Sequence, residues 1–254
     1  ISNALSNPKT GEVEAYAVTY LQTEWTAIDN AIGAELTWLK DRLKGNLSIT
    51  SRTESDQLWT IAVDAVVTPP AVYLFDRRAR TLKQLYVSRP ELIGEPLQAM
   101  HSLEIKARDG LTLPSYLTLP PGSDRDGDGR PSSPVPMVLL VHGGPWARDS
   151  YGYNPYHQWL ANRGYAVLSV NFRGSTGFGK TFVEAANLEW GRNMHNDLLD
   201  AVQWAVASRI TTKERVAIMG GSYGGYATLV GLSFTPTTFA CGVDIVGPSN
   251  LETL

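Results

Sequence analysis

Arg215-Val216-Ala217-Ile218-Met219-Gly220-Gly221-Ser222-Tyr223-Gly224-Gly225-Tyr226 runs from a continuous apolar stretch, through a serine set among glycines, into the helix-compatible segment from Tyr226 to Phe234. A short apolar run of this kind predicts a strand covered on both faces. A Gly-x-Ser-x-Gly pattern between a strand and a helix predicts a sharp turn that strains the serine backbone and lifts its hydroxyl clear of the sheet. Gly220 and Gly224 suit such a turn, because side chains there would collide across it. Ser222 is therefore the candidate nucleophile for acyl transfer. Five positions with two of them free recur by chance, so the weight of the pattern comes from its flanking elements.

Upstream, Met137-Val138-Leu139-Leu140-Val141 is another buried-strand run, and it ends at His142-Gly143-Gly144-Pro145-Trp146. When a serine attacks a carbonyl, the oxygen becomes an anion that needs preorganised donors. The backbone N–H of Tyr223, at the start of the expected helix, is one candidate donor and that of Gly144 is the other. Glycines let the backbone come close to a substrate. The bland alternative is that Gly143 and Gly144 only make a turn.

A serine nucleophile also needs a base, and an acid to orient that base. In the fold that uses this elbow, the chain order is Ser, then Asp or Glu, then His. All four histidines, His101, His142, His157 and His195, precede Ser222, and the only acids after it are Asp244 and Glu252. Asp244 lies inside an apparent strand and reads as structural. His142 reads as shaping its loop. The triad acid and histidine are therefore expected beyond Leu254, and the chain by itself is expected to turn over little or no substrate.

Between and around these loops the rhythm is strand, loop, helix. Tyr156 to Arg163 is a helix candidate ended by Gly164, Ala166 to Asn171 is a strand, and Asn193 can cap a helix carrying Met194, Leu198, Ala201, Val202 and Ala205 on one face. Strands alternating with helices predict a mostly parallel sheet in an α/β fold.

From Gly11 to about Leu103 the period is two instead. Glu14 to Tyr20 and Gln57 to Val63 read as strands, Ala71 to Phe75 and Leu82 to Ser88 as a hairpin, and only Ala31 to Leu43 as a helix. Repeated antiparallel strands fit about two propeller blades or, equally, a small sandwich or meander. Between the two regions, Asp124-Arg125-Asp126-Gly127-Asp128-Gly129 matches the opening of a calcium-binding loop, but Val135 stands where a bidentate Glu is required. An exposed turn is the expected structure, and no metal or cofactor is called for.

A formal net charge of −3 with no basic run gives no reason to propose nucleic acid. No stretch reaches the ~18 to 20 apolar residues that span a bilayer, so a soluble protein without a membrane partner is expected, of unassigned compartment. The single cysteine, Cys241, cannot form an internal disulfide and, among apolar neighbours, reads as part of a buried strand. The chain opens at Ile1 and stops at Leu254, just after an apparent strand and loop, which reads as an internal piece of a longer protein. The strand near Gly242 to Val246 would then leave an unprotected sheet edge, so a homo-oligomer is among the states the sequence allows.

Four segments together resemble the prolyl oligopeptidase family of serine peptidases, in particular its acylaminoacyl-peptidase and dipeptidyl-peptidase-like branch. They are His142 to Trp146, Asn171-Phe172-Arg173-Gly174-Ser175-Thr176-Gly177-Phe178-Gly179, Gly220 to Tyr226, and Val243 to Asn250. The resemblance implies an α/β-hydrolase catalytic domain over residues 106–254, cut after the strand that follows the nucleophile helix. It implies that residues 1–105 are the last blades of a β-propeller, and that the substrate is a short oligopeptide. Some members carry a tyrosine where His142 stands and use its hydroxyl as an oxyanion donor. Histidine there favours two backbone donors and argues against proline-specific cleavage. Arg173 is expected to brace the loops around the site, and Trp146, Tyr151, Tyr153 and Tyr156 either line a pocket or simply pack. The competing readings are a carboxylesterase-type hydrolase and a non-catalytic binding protein.

Overall fold

A computed structural model describes residues 1–253 and divides into two compact units. The first comprises Ile1–Leu97 together with Tyr151–Asn154, the second Gln98–Ser150 with Pro155–Leu254.

The first unit holds two antiparallel sheets. Strands β1 (Asn3–Ser6), β2 (Val13–Thr19) and β3 (Thr23–Ala27) form one in sequence order. Helix α1 (Asn30–Arg42) follows, one residue ahead of the expected Ala31 start, because Asp29 caps it: its Oδ1 accepts from the N–H of Ile32 at 2.9 Å. Strands β4 (Asn46–Arg52), β5 (Leu58–Asp64), β6 (Ala71–Asp76) and β7 (Thr81–Val87) then make a four-stranded meander. Alternation sets its inner face: Trp59, Ile61 and Val63 are buried on β5 and join Ile32, Leu39 and Phe75 in one core. The indole N–H of Trp59 donates to Asp56 at 2.8 Å, and the guanidinium groups of Arg52 and Arg77 each lie 4.8 Å from the Trp59 ring. Both arginines pair with Asp56, so the charges beside this buried indole are compensated.

The second unit is built on a six-stranded mixed sheet. Its strands are β8 (Met100–Lys106), β9 (Thr112–Thr118), β10 (Met137–Val141), β11 (Ala166–Val170), β12 (Val216–Gly221) and β13 (Cys241–Ile245), in the order β13-β12-β10-β11-β9-β8. The four strands from β13 to β11 are parallel, while β9 runs antiparallel to β11 and β8 antiparallel to β9. Every residue of β10 and β11 is buried, as their unbroken apolar runs require. Helices α2 (Pro155–Ala161), α3 (Lys180–Glu184), α4 (Asn193–Ala207) and α5 (Tyr223–Phe234) complete the unit, and the predicted apolar face of α4 is its buried one.

Three local expectations change. Asn193 is the first residue of α4 rather than its cap; the cap position falls on Arg192 without a side-chain bond, and Asn193 Oδ1 instead accepts from Asn196 Nδ2 at 3.1 Å. Cys241 is exposed rather than buried, because β13 is the last strand of the sheet among the described residues and pairs only with β12. The strand over Met100–Lys106 shares the period of the first region yet pairs into the α/β sheet, along β9. In the turn after β9, Asp124 accepts three backbone N–H groups, from Gly127, Asp128 and Gly129, as an exposed polar turn does.

Candidate active site

The three central parallel strands deliver three loops at their C-terminal ends, the position where open α/β sheets place their sites. They are the loop after β10 from His142, the turn after β11 from Asn171, and the elbow after β12 at Ser222.

The elbow has the strain its sequence predicts. Ser222 has φ 55° and ψ −119°, a left-handed backbone that costs a non-glycine residue about 1–3 kcal/mol. Its N–H donates to the carbonyl of Ile245 at 2.9 Å, and its carbonyl accepts the first helical bond, from Tyr226 N–H, at 3.0 Å. The glycine requirement is steric. A Cβ on Gly220 would lie 2.5 Å from the carbonyl carbon of Gly224, and one on Gly224 would overlap the Val141 carbonyl. The Ser222 side chain is exposed, and Tyr223 opens α5, where helix N–H groups have no intrahelical partner.

The loop after β10 runs against this serine. A Cβ on Gly143 would be 3.4 Å from Ser222 Cβ and 3.2 Å from the Gly221 carbonyl. Gly144 has φ 125°, and the Gly144–Pro145 peptide is cis. The structure thus brings Ser222, Tyr223 and Gly144 into adjoining loops.

His142 is tied down at both ring nitrogens. Nδ1 is 2.7 Å from the Gly143 carbonyl and Nε2 is 2.9 Å from Ser175 Oγ. A carbonyl only accepts, so Nδ1 carries the proton. Burial depresses the pKa to about 4, the Gly143 carbonyl opposing and Arg148 adding to the effect, so the ring is neutral at pH 7 and Nε2 accepts from the Ser175 hydroxyl. The other three histidines also have partners elsewhere: His157 meets Thr118 Oγ1 and Ser169 Oγ, His195 meets Thr235 Oγ1, and His101 is 3.4 Å from Asp124. Among the described residues no imidazole is hydrogen-bonded to Ser222 Oγ. Asp244 accepts from Gly247 N–H at 2.8 Å and closes the turn after β13.

Arg173 is the expected brace of these loops, but nothing in the sequence signals the packing of Phe172, Trp190 and Met194 around His142 and Tyr223. Phe172 stacks on His142 and lies 5.3 Å from the Tyr223 ring, while Tyr223 packs edge-on to Trp190 at 4.7 Å and donates to Met194 Sδ at 3.7 Å. Arg173 binds the carboxylate of Asp197, and Asp197 raises the arginine pKa further above its ordinary value. Of the four aromatic pocket candidates, Tyr151 and Tyr153 belong to the first unit, whereas Trp146 and Tyr156 are exposed in the second. Asp124, Asp126 and Asp128 bring carboxylate oxygens within 4.8 Å of one another, but the last two are exposed, and among the described residues no other His, Cys, Asp or Glu joins the group. No described helix is long and apolar enough to cross a membrane.

Residues 151–254 match the prolyl oligopeptidase family. Over all 254 residues the chain is 59% identical to dipeptidyl aminopeptidase BIII of Pseudoxanthomonas mexicana. The chain belongs to the prolyl oligopeptidase family. It is also 43% identical to dipeptidyl peptidase family member 6 of Caenorhabditis elegans, again across the whole chain. Among solved structures it resembles an acylaminoacyl peptidase in complex with Z-Gly-Gly-Phe-chloromethyl ketone, with a TM-score of 0.66 and 25% identity over 83% of this chain and 32% of that one. It spans 37% of the length of the Pseudoxanthomonas relative and 36% of the nematode one. Membership of the prolyl oligopeptidase family brings an α/β-hydrolase domain, which the parallel core and the strained elbow of the second unit match.

Proposed function

We propose that this chain carries the nucleophile half of a serine peptidase that hydrolyses short peptides through an acyl-enzyme on Ser222. The observation that carries the reading is the left-handed Ser222 backbone at the β12–α5 junction, packed against the Gly143–Gly144 loop. The Ser222 oxygen attacks the peptide carbonyl, the amine leaves, and water then hydrolyses the ester. The N–H groups of Tyr223 and Gly144 receive the oxyanion in both steps. Removing one such donor typically costs ~3 to 4 kcal/mol of transition-state stabilisation.

The general base and its orienting acid are proposed to lie outside these residues. The order of residues supports this, because every histidine precedes Ser222. Loss of the base of such a triad costs roughly a factor of 10⁶ in turnover, so the activity is assigned to the full-length protein and not to the 254 residues alone.

The four-stranded meander of β4 to β7 has the form of a propeller blade, which supports reading the region before β8 as the closing blades of a propeller, shorter than the expected 1–105 because Met100–Lys106 pairs into the α/β sheet. The test is hydrolysis of aminoacyl anilides against short acyl esters by the full-length protein. Anilide cleavage that disappears in Ser222→Ala is the expected result. Activity confined to esters would sink the peptidase reading.

A further inference from the structure

We infer that Phe172 and Ser175, in the turn after β11, are positioning residues that fix the two oxyanion donors relative to each other; this rests on the reading of Ser222, Tyr223 and Gly144 given above. Strand β11 is the immediate neighbour of β10, whose loop carries Gly144, and β10 separates it from β12, whose loop carries Tyr223. The turn is therefore placed beside both loops: the completely buried Phe172 touches each of them, and the completely buried Ser175 touches the one that carries His142.

Phe172 is 0% exposed and its ring has a partner in each loop. It stacks on the His142 imidazole with centroids 4.5 Å apart and an interplanar angle of 16°, and it meets the Tyr223 ring at 5.3 Å and 31°. Ser175, also 0% exposed, acts on the same imidazole by a hydrogen bond. Its hydroxyl meets His142 Nε2 at 2.9 Å and the Phe172 carbonyl at 2.7 Å, so its one proton serves those two acceptors. With Nε2 as acceptor, the imidazole proton is held on Nδ1, which donates to the carbonyl of Gly143 at 2.7 Å.

That carbonyl belongs to the same peptide plane as the N–H of Gly144. In a trans peptide the C=O and N–H point in opposite directions, so holding the Gly143 oxygen aims the Gly144 N–H. Two adjacent glycines leave the plane free to rotate unless something holds it, and the Ser175–His142–Gly143 chain is what holds it. Phe172 supplies the second half: packed against Tyr223 as well, it sets where α5 begins relative to that plane.

The experiment uses the full-length protein with the variants Ser175→Ala and Phe172→Leu. Three quantities are read for each: kcat and KM on a peptidyl anilide, affinity for a peptidyl boronate that makes a tetrahedral anion on the serine, and inhibition by the product peptide. A small displacement of a catalytic group costs up to about 100-fold in rate. The expected result is a fall in kcat of roughly 10- to 100-fold with KM and product inhibition within about twofold, and boronate affinity weakened in step with kcat. Ser175→Thr, which keeps the hydroxyl, is expected to recover most of the loss. A merely structural role would lower the active fraction without separating boronate from product binding. Wild-type kcat and boronate affinity in both folded variants would overturn the inference, as would a Ser175→Ala protein that fails to fold, since the turn would then support the fold and not the site. Failure of the underlying reading looks different: wild-type protein would then neither hydrolyse the anilide nor bind the boronate through Ser222.

Discussion

Arg173 grips the completely buried carboxylate of Asp197 through two nitrogens, Nε to Oδ2 at 2.8 Å and Nη2 to Oδ1 at 2.7 Å, and its own backbone N–H adds a third bond to Oδ2 at 2.9 Å. The pair joins the turn after β11 to helix α4, next to Phe172. Breaking one side of such a pair leaves an unmatched charge in the interior, which costs about 3–5 kcal/mol. Arg173→Met is therefore expected to lower the urea midpoint strongly, and the double variant Arg173→Met with Asp197→Leu to recover much of the loss. Equal destabilisation in the single and double variants would show that the pair's charge balance is not what matters.

The strained elbow predicts a trade between stability and function. Ser222→Gly relieves the φ of 55° and is expected to raise stability by about 1 kcal/mol while removing the nucleophile. Thermal melting of the two proteins checks it. A lower melting temperature in the glycine variant would mean that the elbow is not strained.

Gly224→Ala tests how tightly the elbow is built. The new methyl overlaps the carbonyl of Val141, a backbone atom of the adjacent buried strand that cannot turn aside. Overpacking of this kind costs about 1–3 kcal/mol, so both stability and Ser222 reactivity are expected to fall, measured by chemical unfolding and by the rate of labelling.

Buried titratable groups near these loops make a pH prediction with a definite sign. Burial raises the Asp149 carboxyl to about 7, against smaller lowering effects of Arg148 and a hydrogen bond with Ser169. Its contribution to stability is full below its unfolded pKa near 4 and is lost as pH rises towards 7. Burial lowers His142 to about 4 and His157 to about 3, so their contribution is present above about 6.5 and is lost as pH falls. The two effects oppose each other between pH 4 and 6.5. Asp149→Asn removes the opposing term, so its stability is expected to rise with pH more steeply than that of the wild type, by about 1.4 kcal/mol per pH unit in that window. Parallel stability curves for the two proteins would contradict this.

The elbow was legible because its information is local: the glycine spacing around Ser222, an apolar run before it and a helical segment after it. The loop at His142 was legible for the same reason. What joins them was not, because Phe172 and Ser175 meet His142 only when β11 lies beside β10, and strand order is not written in any one segment. Period-two alternation likewise identified strands without placing them. It could not tell that Met100–Lys106 belongs with the α/β sheet. The strand near Gly242 to Val246 does lie at the sheet edge among the described residues, as its position in the sequence suggests, but the apolar neighbours of Cys241 point to a buried residue where the structure has an exposed one. Asn193 shows the limit of residue type as a cap signal, since the helix begins at that residue instead of after it.

The most direct test of the central claim is a fluorophosphonate probe on the full-length protein, with the modified residue located by mass spectrometry of the peptides. The expected result is one adduct per chain, on Ser222, abolished in Ser222→Ala. An adduct on another residue, or a folded protein that takes up no probe, would contradict the assignment of Ser222 as the nucleophile.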